Sequence, residues 1–186
     1  MFCNGIVTMQ SMGLGGGFLM TIYIKAEGKA YSLNAREKAP MNAKDELYKD
    51  DPKKTKNGPL AIAVPGELKG YWTAHQRFGR LPWKDLIQPT IELCEKGYNM
   101  SKHQADSLTK NNLNNDPLLM EWFKDKDGKF KTEGSKIVPT KLCNTLKLIA
   151  ENGGDDLYNG TLSKMLVQDI KDMGGIITEE DLLNYQ

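Results

Sequence analysis

The chain has 186 residues, 39% of them hydrophobic, and 25 Lys and Arg against 24 Asp and Glu leave a formal net charge of +1. That length suits one ordinary domain, or part of a larger one, with a sizeable core. A balance so close to neutral makes no electrostatic case for nucleic acid or an anionic membrane surface, and no apolar run approaches the roughly 18 residues of a membrane span.

The opening MFCNGIV reads as the end of an apolar helix with no cap before it, and Gln186 follows just after a helix has started. No charged-then-apolar targeting segment opens the chain. The chain is therefore expected to be an internal fragment.

Next comes SMGLGGGFLMTIYIKAEGKAYSLNAREKAP, from Ser11 to Pro40. Gly13, Gly15, Gly16 and Gly17 crowd one short window, where glycine permits positive φ and close approach of another group. Phe18 to Ile24 reads as a strand, Gly28 as a turn and Ala30 to Leu33 as a second strand. Arg36 then stands at the strand end. A planar guanidinium on a rigid hairpin suits bidentate recognition of a carboxylate; pairing with Glu37 or another nearby acid is the plain structural alternative.

The glycines do not make a nucleotide site. A dinucleotide fingerprint follows a strand and opens a helix, whereas here the sixth position is Phe18 and a strand comes after the loop. No G-x-x-x-x-G-K-[ST] occurs.

Lys44 to Lys56 reads as a polar surface loop whose basic residues form a solvated face. Pro59 to Val64, PLAIAV, is a short apolar run between Gly58 and Pro65 and predicts a buried strand. Leu68, Tyr71, Trp72, His75 and Phe78 recur at helical spacing from Gly66, with Gly79 as the stop. The following helix has Pro82 near its first position and runs to Gly97. Pro89 inside it predicts a kink or two shorter helices.

Ser101 and Gln104 form a capping box for a helix to about Lys110. Asn111 to Asp116 reads as a loop and Pro117 to Phe123 as a short helix. Asp125 to Gly128 resembles a calcium loop only superficially: with Gly128 at the sixth position, Phe123 and Gly134 would fill the first and last ligand positions. It reads as a turn, and Phe130 onward as extended chain.

Helices are expected from Pro139 to Asn152 and over Leu162 to Met173, and Thr178 to Asp181 caps a last one. The residues by themselves read as α/β with helix dominating.

The cysteines are Cys3, Cys94 and Cys143, with no C-x-x-C spacing, so a zinc site is not expected. Cys94 and Cys143 fall on apolar helical stripes and read as buried free thiols. His75 and His103 read as packing or surface residues. No metal or cofactor is expected. Asn159-Gly160-Thr161 and Asn99-Met100-Ser101 are glycosylation sequons, Asn159 being the better candidate because it lies in a Gly-containing loop.

SMGLGGGFLM, NAREKAP, the long run from GPLAIAVPGELKGYW to ELCEKGY, and LYNGTLSKMLVQDIKDMGGIITEEDLLNY together resemble the large subunit of the γ-glutamyltranspeptidases, or glutathione hydrolases. The resemblance covers essentially the whole chain. It implies part of an αββα sandwich of the N-terminal-nucleophile hydrolase type, within one domain and without an internal boundary over 1–186. It implies cleavage of the γ-glutamyl amide bond of glutathione and related compounds, with glutamyl transfer to water or to an amino acid or dipeptide acceptor. The catalytic Thr would begin a small subunit of the same precursor, outside this chain, so no catalytic residue is expected here. Arg36 would bind the α-carboxylate of the γ-glutamyl donor, with the glycines as a structural loop. The resemblance further implies a cell-surface or secreted protein, with Cys3 pairing upstream as in animal members. A β-lactam acylase of the same fold and a non-catalytic truncated homologue that binds γ-glutamyl ligands or a partner chain are the rival readings.

Overall fold

The computed structural model describes residues 1–110 and 117–186. The loop expected over Asn111 to Asp116 lies outside them.

In chain order, helix α1 (Phe2–Val7) precedes a hairpin of β1 (Phe18–Ile24) and β2 (Lys29–Ala35). Three short 3-10 turns, Asp45–Leu47, Pro52–Thr55 and Pro59–Ala61, lead to α2 (Glu67–Phe78) and α3 (Trp83–Lys96). Then come β3 (Tyr98–Asn99), α4 (Lys102–Lys110), α5 (Pro117–Phe123) and β4 (Lys136–Ile137). Helices α6 (Thr140–Asn152), α7 (Asp156–Asn159), α8 (Thr161–Asp172) and α9 (Glu179–Leu183) complete the described elements. Helix dominates, as expected. The last helix closes at Leu183, within the chain.

Two compact units divide the chain: Met1–Gly13 with Leu81–Ala150, and Leu14–Arg80 with Glu151–Gln186. In the first, Trp83 is the hub. Its indole N–H donates to the Ile149 carbonyl at 2.8 Å, and Phe2 meets its ring edge-on at 5.5 Å. Helix α3 is continuous through Pro89. A proline removes one i→i−4 bond, but Ile87, Ile91 and Cys94 are buried on one stripe, and packing of that stripe outweighs the single lost bond.

Cys94 and Cys143 are not free thiols. They are buried, as expected, but joined in a disulfide with Cα atoms 5.6 Å apart. The helices that carry them are also tied by the Trp83–Ile149 hydrogen bond and by an ion pair of Lys147 with Glu95 at 2.6 Å.

At 1% exposure, Gln104 sets its amide against the Tyr98 hydroxyl at 3.0 and 3.1 Å, and its backbone N–H donates to Ser101 Oγ as the capping pattern predicts. The Asp125 carboxylate accepts the Asp127 and Lys129 amides at 2.9 Å, closing the expected turn, and Phe130 bridges back to Lys124.

In the second unit β1 and β2 pair antiparallel from Phe18↔Ala35 to Ile24↔Lys29, with Gly28 at φ 64° in the turn. The second strand is longer at both ends than the sequence pattern suggests, because its outer residues pair with β1. Helix α2 lies on the inner face: Phe18 stacks on Tyr71 at 4.9 Å, and Tyr31 meets Phe78 at 5.2 Å. Gly70 lets the helix approach, since a Cβ there would stand 2.5 Å from Ala35 Cβ and 2.6 Å from Phe18.

PLAIAV is not a buried strand. Pro59–Ala61 is a 3-10 turn, and only Val64 pairs, exchanging both backbone hydrogen bonds with Lys38 at 2.8 and 3.2 Å. Pro59 lacks an N–H to offer a ladder, and Gly58 enters the turn at φ 85°.

Candidate functional site

Arg36 directly follows β2, where the hairpin, the glycine loop, the start of α2 and the end of α9 converge. The Gly16 carbonyl accepts the Gly66 and Glu67 amides at 3.0 and 2.9 Å, which ties the loop to the first turn of α2. Gly17 has no room for a side chain. A Cβ there would overlap the Ala35 carbonyl oxygen and come within 3.0 Å of Glu37 N.

The four glycines do not share one role. None stands among the glycines with positive φ, so close approach and not left-handed backbone is what the loop uses. A Cβ at Gly15 would meet no described atom within 4 Å, and Gly13 belongs to the other compact unit.

The segment after Ala35 is held along its main chain. Arg36 N–H donates to Asn34 Oδ1 at 3.0 Å, and the Arg36 carbonyl accepts from the Tyr185 hydroxyl at 2.6 Å. Lys38 pairs with Val64, and Met41 N–H donates to Asp181 Oδ1 at 2.7 Å. The side chain of Arg36 is different. It is 63% exposed, and Nη1 lies 3.4 Å from Glu37 Oε2. That contact is an ion pair without hydrogen-bond geometry, and Glu37 Oε2 has no hydrogen-bond partner among the described residues. The guanidinium end of this pair is exposed although Glu37 Oε2 itself is buried, so the guanidinium is open to an incoming carboxylate.

Behind this edge lies a buried polar layer. Glu67, 4% exposed, accepts from the Tyr71 hydroxyl. Burial, then that bond and the carboxylate's charge, raise the Tyr71 pKa. The Tyr158 hydroxyl donates to the Pro65 carbonyl at 2.8 Å and accepts from Lys69 N–H at 3.0 Å, and burial raises its pKa as well. For Tyr185, burial and then the Glu37 charge act in the same direction. All three phenols stay neutral donors at ordinary pH.

Other residues singled out by sequence lie elsewhere. His75 is in the last turn of α2, stacked with Trp72 at 6.0 Å, and His103 is exposed on α4. Asn159 is exposed at the end of α7, and Asn99 is exposed on β3. Tyr185, Asp181 and Gly66 were not visible as site residues. The Thr178–Asp181 capping pattern marks Asp181, yet only as a helix cap; its second carboxylate oxygen reaches Met41.

The γ-glutamyltranspeptidase family profile matches residues 1–186. The chain belongs to that family. It is 42% identical over 189 residues to Scoloptoxin SSD14 of Scolopendra dehaani, covering 100% of this chain and 33% of that protein. It is 40% identical over 185 residues to Glutathione hydrolase 2 of Arabidopsis thaliana, covering 98% of this chain and 32% of that one. The γ-glutamyltranspeptidase of Helicobacter pylori superposes with a TM-score of 0.92 at 32% identity, covering 100% of this chain and 55% of the other. The fold is thus that of a γ-glutamyltranspeptidase, of the N-terminal-nucleophile hydrolase type. A cephalosporin acylase from Bacillus halodurans, with a TM-score of 0.84 at 24% identity, shares the fold and no more. The chain spans about a third of the length of the curated relatives it matches.

Proposed function

We propose that this chain supplies the donor-binding edge of an enzyme that cleaves the γ-glutamyl amide bond of glutathione and related compounds. The carrying observation is Arg36: an accessible guanidinium on a strand end whose backbone is bonded on both sides. Its fork takes the α-carboxylate of the γ-glutamyl group and holds the donor in the site.

The bond-breaking group is a Thr that begins a small subunit of the same precursor, freed by self-cleavage, with its own α-amine as base. Glutamyl passes through an acyl-enzyme to water, or to an amino acid or dipeptide acceptor. This chain on its own is accordingly inactive towards γ-glutamyl p-nitroanilide. The protein works at the cell surface or outside the cell. The Cys94–Cys143 disulfide supports that placement, since such bonds persist in oxidising compartments. Exposure of Asn159 supports its glycosylation there, ahead of Asn99, whose sequon hydroxyl on Ser101 is engaged as a helix cap.

The test is Arg36→Gln in the full-length protein that carries this chain. KM for γ-glutamyl p-nitroanilide rises tenfold to about a hundredfold, the loss of roughly 1.5–3 kcal/mol of charge-assisted bonding, while kcat changes little. An unchanged KM would remove Arg36 from the donor site.

A further inference from the structure

We infer that Tyr185 is a positioning residue for Arg36, an inference that rests on the donor-carboxylate reading above. Tyr185 is 4% exposed and lies 149 residues along the chain from the carbonyl it serves. Its ring packs against Tyr158 at 5.6 Å, and Lys38 Nζ stands 5.3 Å over it. Its hydroxyl has a built passage to Arg36: a Cβ at Gly66 would overlap that hydroxyl, so the position admits only glycine.

The geometry explains what the bond does. Among the described residues the guanidinium makes one ion pair, at 3.4 Å and without hydrogen-bond geometry, so the direction of the Arg36 side chain follows the direction of its main chain. Asn34 holds the N–H and Tyr185 the carbonyl. Asp181, four residues before Tyr185, holds Met41 N–H at 2.7 Å. The end of the chain therefore grips residues 36–41 at two points, with the Lys38–Val64 bridge between them. Without the Tyr185 hydroxyl the peptide joining Arg36 to Glu37 loses the partner that sets its plane, and both charged side chains turn with it. The phenol takes no part in bond breaking; it aims the residue that meets the substrate.

Tyr185→Phe in the full-length enzyme keeps the ring and removes only the donor. The expected result is a rise of about fivefold in KM for γ-glutamyl p-nitroanilide, the scale of one neutral hydrogen bond, with kcat within twofold. With 4-aminobutyryl p-nitroanilide, which lacks the α-carboxylate, wild type and variant behave alike. In an Arg36→Gln background the Tyr185→Phe effect disappears. If wild type treats the two anilides alike, the donor-carboxylate reading itself fails. If wild type discriminates and Tyr185→Phe leaves KM unchanged, the reading stands and the role of Tyr185 is overturned. A variant that does not accumulate as folded, processed enzyme, or that raises KM for both anilides equally, assigns Tyr185 to the fold alone and also overturns the inference.

Discussion

Gly17 abuts Ala35 so closely that the carbonyl oxygen of Ala35 occupies the space a Cβ at 17 would need. The glycine loop and the strand end that carries Arg36 are thus in direct backbone contact. Gly17→Ala forces them apart, because Ala35 is itself 2% exposed and packed against Gly70 on α2. Overpacking of this kind costs about 1–3 kcal/mol. A urea titration of the full-length variant shows the loss as a lower midpoint, and KM for the donor rises with it. Gly15→Ala, with open space around it, leaves both unchanged.

The disulfide joins residues 49 apart. Closing a loop of that length stabilises by about 4 kcal/mol in the chain-entropy account. Cys94→Ser with Cys143→Ser therefore lowers the unfolding free energy by a large part of that amount. Dithiothreitol produces the same shift in the wild type. Alkylation and mass measurement in denaturant, without reductant, find Cys94 and Cys143 protected and shift both to alkylated after reduction.

Tyr71 and Tyr158 titrate above the ordinary tyrosine range in the folded protein. The folded state then holds their protons where the unfolded chain, at about pH 10, releases them. Their contribution is fully present below pH 10 and is lost as pH rises through the higher folded values. Denaturant titrations at pH 9, 10 and 11 show stability falling mainly over the last step. Tyr158→Phe flattens that fall and lowers stability at neutral pH by about 1 kcal/mol through the lost bond to Pro65.

Tyr98 and Gln104 satisfy each other inside the first unit. Tyr98→Phe leaves a buried amide without its hydroxyl partner and costs about 1–3 kcal/mol. Tyr98→Phe with Gln104→Leu removes both ends of the interaction and is milder than the single change. A double-mutant cycle in thermal or chemical denaturation reads the difference.

Relations within one turn of chain were legible from sequence. The periodic stripes of α2, α3, α6 and α8, the Ser101 and Thr178 caps and the Asp125 turn involve residues a few positions apart, and the hairpin around Gly28 grows outward from a tight turn between adjacent strands. Spacing alone carries such information, because helix and strand geometry puts those residues together in any fold. PLAIAV misled because apolar content marks burial without naming a partner strand, and Pro89 because a local rule was overridden by packing of the whole α3 stripe.

Arg36 stood out in the sequence because an Arg at a strand end on a rigid hairpin suits recognition of a carboxylate, and the family resemblance sharpened that to the α-carboxylate of a γ-glutamyl donor. What only the tertiary structure decided is which residues distant along the chain meet. Cys94 had to meet Cys143, Gly17 had to meet Ala35, and Tyr185 had to reach across 149 residues to the Arg36 carbonyl. Periodicity cannot report such meetings, since separation along the chain says nothing about which buried faces end up opposite one another. They are set when the faces pack, and the polar groups caught between them must then bond to each other or remain unpaired.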